Sequence, residues 1–478
     1  MRPRESSAAP LPVTTPKAAG ATAAVETGWL PDCVYTGEKF EAGLAFFADA
    51  VGRITRFSRE PADLAVAHRL AGQAALPGLV NGHSQAFHRA ARGRAEIRGR
   101  ADRDALATWR DVLERAAGRL TGEDLYVVAR MAFTEMLLSG VTCVGEFHSL
   151  HHQPDGTPWP EPNFAAQEMM RAAHDTGIRL ALFNVACAQA ASPAGARGIT
   201  PTADQYVRTT EALRAFAAKN YPADDVWVGV ALQGLGAVPP DYLKAVGAYA
   251  HAQRLRMHLP VAARAADHAA CVATSGRTPV ARLAELGLLD KRFTAIHAAE
   301  LSADEVKLLG AAKATVCACP TSARNLGDSI APVEKLLAAG VAISLGTDTQ
   351  VEIDPLGDAR LLEYALRVSQ HQRAVLAPEV AVALFHAATV AGARSLGATG
   401  GALEVGRPAD FFTVNLYDPS IAGAEPAVLL ANIVFSVERS AIREVWVGAR
   451  QRLVNGRHAQ QGALVGKFIE LQRRLWAV

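Results

Sequence analysis

The spacing of apolar residues changes character twice along the chain. Between 29 and 75 they fall in short runs broken by turn residues, WLPDCVYTGEKF and then LAFFADAVGRITRF, a texture of strands and tight turns. From 76 onward, short apolar runs alternate with stretches whose apolar positions recur at helical spacing. VTCVGEF, IRLALFNVA, VWVGVAL, LRMHL, FTAIH, ATVCA and VAISL read as strands. TGEDLYVVARMAFTEMLLSG reads as a helix with Thr121 as its N-cap and Gly140 as its stop. SADEVKLLG reads as a helix opened by a Ser302/Glu305 capping box. FAAQEMMRAAHDTG, ADQYVRTTEALRAFAAK, PPDYLKAVGAYAHAQ, TPVARLAELG, APVEKLLAAG and PEVAVALFHAAT complete the alternation. After 400 the strand-and-turn texture returns in GGALEVGRPADFFTVNL and SAIREVWVGARQRLVNGRH, and a helix, ALVGKFIELQRRLW, closes the chain.

Repeated strand-then-helix units predict a parallel sheet with helices outside, and roughly eight units over about 330 residues fit a (β/α)₈ TIM barrel. The expected organisation is a disordered tail at 1–28, a barrel over 76–400, and a small β-sandwich built from both chain ends, 29–75 with 401–458, followed by a C-terminal helix at 459–478. Residues 187–202, rich in Ala, Gly and Pro, read as a lid or mouth loop.

Composition narrows the function classes. With 478 residues, 50% hydrophobic and a formal net charge of +2, the chain can build one large core plus an appendage, and its balance gives no reason to expect nucleic acid or an anionic membrane as partner. No apolar run is long enough to span a bilayer, and the first 28 residues lack the hydrophobic stretch of a secretory signal. The six cysteines are scattered, with Cys143, Cys317 and Cys319 in apolar runs, so reduced, buried thiols and a cytoplasmic protein are expected.

Candidate chemistry begins in LPGLVNGHSQAFHRA, a strand interrupted at Pro77-Gly78 that delivers His83 to what would be the barrel mouth. Alternate strand residues point the same way, so a histidine two places on would let two imidazoles grip one ion. Gln85 stands there instead, and an amide oxygen is a poor transition-metal ligand.

LPGLVNGHSQAFHRA, EFHSLHHQPDGTPW, ATSGRTP, CPTSARNLGD, LGTDTQ and RLLEYALR follow one another in one order. That series, over residues 29–458, resembles formimidoylglutamate deiminase of the amidohydrolase superfamily. The resemblance implies a (β/α)₈ barrel, a small β-sandwich, a homodimer and one divalent metal, usually zinc, that activates water. Residue by residue, it departs at the site. His83 matches the first strand's first histidine, Gln85 the second, and His88 stands where the family has glutamine. On the fifth strand His258 matches the first histidine, but Pro260 falls at the implied ligand and Ala263 at the implied proton shuttle. His297 matches the histidine after strand six and Asp348 the metal aspartate after strand eight, with Gln350 at a nearby histidine. Gln233 and Gly236 replace the substrate-binding histidine and arginine, and Ser149 a tyrosine.

The expected protein is therefore a diverged relative that acts on a small polar nitrogen-containing or carboxylate substrate without a metal. His83, His297 and Asp348, with His88, are the candidate acid–base groups. Gln85, Ser149, Gln233, His258, Gln350 and Glu352 are candidate substrate contacts, and Arg324 with Arg89 a candidate carboxylate clamp. If a metal is held, its ligands are His83, His297 and Asp348. His148, His151 and His152 read as mouth and packing residues braced by Glu146. Against the acid–base reading stand plainer ones: a His–Asp contact inside a polar mouth, a His88 facing solvent, and Glu352 and Asp354 solvated in a loop. A non-catalytic ligand-binding protein and a metal-dependent amidine or amide hydrolase with unusual ligands are the alternatives.

Overall fold

The computed structural model describes residues 26–97, 105–188 and 197–477. The expected tail falls almost wholly outside them, and only the ends of the expected mouth loop, 187–188 and 197–202, are within.

Eight parallel strands follow one another around a barrel: Leu79–Ser84, Val141–His148, Arg179–Ala186, Val226–Leu232, Met257–Val261, Phe293–His297, Thr315–Ala318 and Ala342–Leu345. Most are short apolar runs bounded by polar or turn residues, as strands covered on both faces require, while the first carries Asn81, His83 and Ser84 toward the mouth. Phe147 and Phe183 supply bulk to the interior, packed with small partners such as Ala181, Ala231 and Cys317. Leu396, the last residue of the helix Val390–Leu396, joins this inner core. Gly145 makes room for it: a Cβ there would lie 2.4 Å from Leu396 Cδ2. Of the six cysteines, all but Cys271 are buried.

The barrel closes at its mouth through the residues singled out above. Ser84 and Asp348 form an isolated parallel bridge, Asp348 N donates to His83 O (3.0 Å), and Gln85 N donates to Asp348 O (3.3 Å). The seam between first and last strands is thus also the frame of the candidate site.

The helices start where their caps predict. Thr121 Oγ1 accepts from Asp124 N, and Asp124 Oδ2 accepts from Thr121 N (2.9 Å), which opens Gly122–Leu138. Ser302 and Glu305 form the same reciprocal pair ahead of Ala303–Ala311, and Glu305 Oε1 also accepts from Val280 N of the neighbouring helix (2.9 Å).

Both chain ends meet in one nine-stranded mixed sheet, with the strand His68–Pro77 lying between Thr27–Tyr35 and Phe411–Asn415. Flat strands two apart would hold side chains roughly 10 Å apart. Yet Trp29 lies 5.2 Å from Phe411 and 5.2 Å from Trp446, which is one strand further on. The sheet therefore curls over its own aromatic core of Trp29, Phe46, Phe411 and Trp446. Strands and turns alone were expected between 401 and 458, but Pro426–Ser436 is a helix. Its buried Leu429, Leu430, Ile433 and Val434 have helical spacing, and Pro426 sits in the first turn where its missing N–H costs nothing. The final helix, Gln461–Leu475, packs on Gly122–Leu138. Among the described residues no helix is long and apolar enough to cross a membrane.

Candidate active site

A cavity of about 920 Å³ opens at the C-terminal ends of the barrel strands. Gln85, Gln233, Pro260, Ala263, His297 and Asp348 all face it. These come from the first, fourth, fifth, sixth and eighth strand ends, so residues far apart in sequence converge on one mouth.

Asp348 is the centre of the polar set. Gln85 Nε2 donates to its Oδ1 (2.9 Å), His83 Nε2 lies 3.4 Å from the same oxygen, and His297 Nε2 lies 3.8 Å from Oδ2. His83 stands behind the aspartate, 2% exposed, with its ring edge-on to Phe147. The backbone here is held in an unusual region. Ala262, His297, Ala298, Asp348 and Gln350 all have φ between 41° and 67°, left-handed values that non-glycine residues adopt only when the surroundings impose them.

Burial by itself would raise the Asp348 carboxyl. The contact with His83 and the charges of His83, His297 and His88 outweigh it and hold the group well below the usual carboxylate range. Burial lowers His297, and the neighbouring Asp348 opposes that without cancelling it. At neutral pH the cavity therefore presents an ionised carboxylate beside a neutral imidazole.

The other candidates are placed elsewhere. His88 is buried, not solvent-facing, between Phe87 and Trp109, and burial lowers it to about 4. His258 is fully buried, stacked on Phe183 at 3.7 Å, with Nε2 bonded to Ser395 O; burial lowers it to about 3. Gln350 is also fully buried and donates to Ser84 Oγ (2.8 Å), so it packs beneath the seam and does not reach a ligand. Ser149 is half-buried at the end of the second strand, against Gly198, apart from the described cavity wall. Arg89 and Arg324 do not form a clamp. Arg89 donates to Glu135 (2.6 Å) and lies over the Phe468 ring, while Arg324 pairs with Glu352 (3.2 Å) where both are more than half exposed. Asp354 pairs with Arg360 (3.0 Å), so Glu352 and Asp354 are each engaged by an arginine. Glu146 braces the seam instead of the histidines: it accepts from Ser84 Oγ (2.6 Å) and Ala86 N (2.7 Å), and burial raises it to about 8. His151 and His152 bond the Val185 and Ile199 carbonyls as packing residues do.

The cavity wall also holds residues to which the sequence attaches no role. Arg264 forms a bidentate pair with Asp328 (2.6 and 2.8 Å) at the mouth, and Trp109, Arg110 and Arg282 complete its cationic and aromatic side. Their signal was faint: Asp328 ends the CPTSARNLGD motif, while Arg264 simply follows Ala263.

Pro260 and Ala263 face the cavity where the resemblance implies a ligand and a shuttle, and neither side chain has a donor atom. Among the described residues no group of three or more His, Cys, Asp or Glu side chains is placed to hold a metal ion. A zinc ion at this mouth would take His83, His297 and Asp348 as its ligands and none from Pro260 or Ala263.

Known proteins align with this architecture over most of its length. The family model described as Amidohydrolase family matches residues 74–457. A formimidoylglutamate deiminase of Pseudomonas aeruginosa is 34% identical over 414 residues, covering 85% of this chain and 90% of that protein. A crystal structure of an amidohydrolase from Brucella melitensis superposes with a TM-score of 0.86 at 28% identity, covering 94% of this chain and 100% of that one. An adenosine deaminase from Xanthomonas campestris, solved with bound zinc, superposes with a TM-score of 0.82 at 22% identity, covering 95% of this chain and 99% of that one.

Proposed function

The chain belongs to the amidohydrolase family, and within it we propose a divergent enzyme that acts on a C–N bond of a small polar substrate without a resident metal. The observation that carries this reading is the pair formed by His297 Nε2 and the ionised Asp348, 3.8 Å apart on the wall of a large cavity and held on left-handed backbone. Strained backbone is costly to keep, and it concentrates where geometry serves chemistry. A neutral His297 accepts a proton from a substrate N–H or from water, and Asp348 stabilises the imidazolium that forms. Gln85 and His83 fix the carboxylate from the front and from behind. Gln233 offers an amide to the substrate from the opposite strand end. The substrate class is a nitrogen-containing or carboxylate-bearing molecule undergoing C–N cleavage, its reverse, or a related elimination or cyclisation. Formimidoylglutamate itself is not the expected substrate, because Ala263 replaces the shuttle and Gln233 and Gly236 replace the clamp.

Elemental analysis of protein purified without chelator, paired with a screen of amidines, amides and ureas for ammonia release, tests this. The expected result is near-zero metal, turnover indifferent to chelator, and a loss of about 10² to 10⁴ in rate on His297→Ala. Close to one zinc per chain with chelator-sensitive turnover would overturn it and make His83, His297 and Asp348 the ligands. Turnover of formimidoylglutamate at an enzymatic rate would overturn the substrate assignment. No turnover at all, with His297→Ala altering only ligand affinity, would make this a binding protein.

A further inference from the structure

A second cavity, of about 730 Å³, lies at the opposite end of the barrel from the mouth, where the fourth strand (Val226–Leu232) and the fifth (Met257–Val261) begin. Five cationic side chains line it: Arg214, Arg254, Arg256, Lys291 and Arg292. Two are neutralised within the fold, Arg214 by Glu211 (2.7 Å) and Arg292 by Asp290 (2.5 Å). The nearby Asp224 and Asp225 are taken by Arg53 and Arg179. Arg254, Arg256 and Lys291 have no carboxylate partner among the described residues; Arg256 donates only to the Lys291 carbonyl (3.1 Å). Burial lowers the Arg256 guanidinium, and the charges of Arg394 and Arg292 lower it further against the opposing charge of Asp290, which Arg292 already pairs. Like charges gathered on one wall repel, here a half-buried Arg256 between the exposed Arg254 and Lys291, and the arrangement is relieved when a mobile anion joins them. The rest of the wall is small or apolar: Ala217, Ala218, Gly229, Gly397 and the indole of Trp227, whose Nε1–H is already spent on Leu396 O (2.8 Å).

We propose that this cleft binds an organic polyphosphate, with Arg254, Arg256 and Lys291 on its phosphate groups and Trp227 with the alanine floor against its apolar part. Guanidinium forks match phosphate oxygens two at a time, three unneutralised cations match a ligand of three or more negative charges, and the volume suits a nucleotide-sized molecule. The cleft lies at the N-terminal face, away from the reacting groups, so the ligand is an effector or a stabiliser and not a substrate. The site is independent of the chemistry at the mouth, and its test does not require turnover.

Calorimetric titration of the full chain with ATP, pyrophosphate and citrate, at low and high salt, decides the matter. ATP is expected to bind with a Kd below about 1 mM, to weaken as salt rises, and to weaken at least tenfold in the double variant Arg254→Gln/Lys291→Gln. Both side chains are at the surface, so that variant should fold; Arg256→Gln is the second, more buried test. Binding of ATP should be unchanged in Gln233→Ala at the mouth. The proposal is overturned if neither ATP nor pyrophosphate binds, if the double variant binds as wild type does, if citrate binds as tightly as pyrophosphate, or if Gln233→Ala abolishes binding.

Discussion

The contact that ties the terminal sheet to the barrel is open to a direct energetic test. Arg179, the first residue of the third barrel strand, forms a bidentate pair with Asp410, which precedes the sheet strand Phe411–Asn415 (Nε–Oδ2 2.6 Å, Nη2–Oδ1 3.0 Å). Their side chains are only 7% and 2% exposed, so solvent screening is slight. Burial works to lower the Arg179 pKa, but Asp410, Asp225 and their hydrogen bonds outweigh it and the group stays charged. Asp410→Ala strands that charge. Breaking a buried pair from one side costs about 3–5 kcal/mol. Arg179 keeps Asp225, itself 31% exposed, and the Asp224 carbonyl, which places its share near the lower limit. Gly448 N loses the acceptor it reaches at 2.7 Å, adding about 1 kcal/mol. The expected loss is about 4 kcal/mol. Arg179→Met/Asp410→Leu removes both charges together and should cost far less than the single change, because no buried charge is left behind. Urea unfolding followed by circular dichroism, with midpoints compared at constant slope, reads both numbers. A single-variant loss below about 1 kcal/mol, or a double variant as unstable as Asp410→Ala, would refute the reasoning.

Further outcomes are expected. The double variant Gln85→His/Pro260→His supplies imidazoles at two cavity-facing positions beside His83 and Asp348. It should take up close to one zinc per chain where wild type takes up little, read by elemental analysis; equal zinc in both would contradict the account of the site. Gly145→Ala drives a Cβ to 2.4 Å from Leu396 Cδ2 and 3.0 Å from the Gly82 carbonyl, and should cost about 1–3 kcal/mol in thermal or urea unfolding. Folded His258 has its pKa lowered to about 3, while the unfolded residue returns to about 6.5, so the unfolded chain binds more protons in that window. Its contribution is complete above about pH 6.5 and is lost as pH falls, at up to about 1.4 kcal/mol per pH unit. Stability measured between pH 6 and pH 5 should therefore fall more steeply in wild type than in His258→Leu, and parallel curves would count against the buried neutral imidazole. Glu135→Ala removes the carboxylate shared by Arg89 and Arg92 and should lower stability by about 3 kcal/mol, with ligand binding at the mouth unaffected.

Local pattern was enough to lay out most of this molecule. The seven barrel strands read as apolar runs and the caps at Thr121 and Ser302 rest on hydrophobic spacing and turn chemistry that act within a few residues. The order of motifs was also enough to place His83, Gln85, Gln233, Pro260, Ala263, His297 and Asp348 on a common mouth, because a barrel brings the strand ends of distant segments to one face. What sequence left open was how each side chain spends its hydrogen bonds and charge once packed. Arg89 and Arg324 could serve a clamp until Glu135 and Glu352 were found beside them. His258 and Gln350 are polar residues at strand ends, yet the stack on Phe183 and the bond to Ser84 turn them into core. The pairing of Arg264 with Asp328, the helix at Pro426–Ser436 and the row of unneutralised cations beneath the barrel join residues or surfaces that no local rule connects. Spacing along the chain fixes which face a residue occupies; only the closed barrel decides which partners reach it, and with them its charge, its exposure and its use.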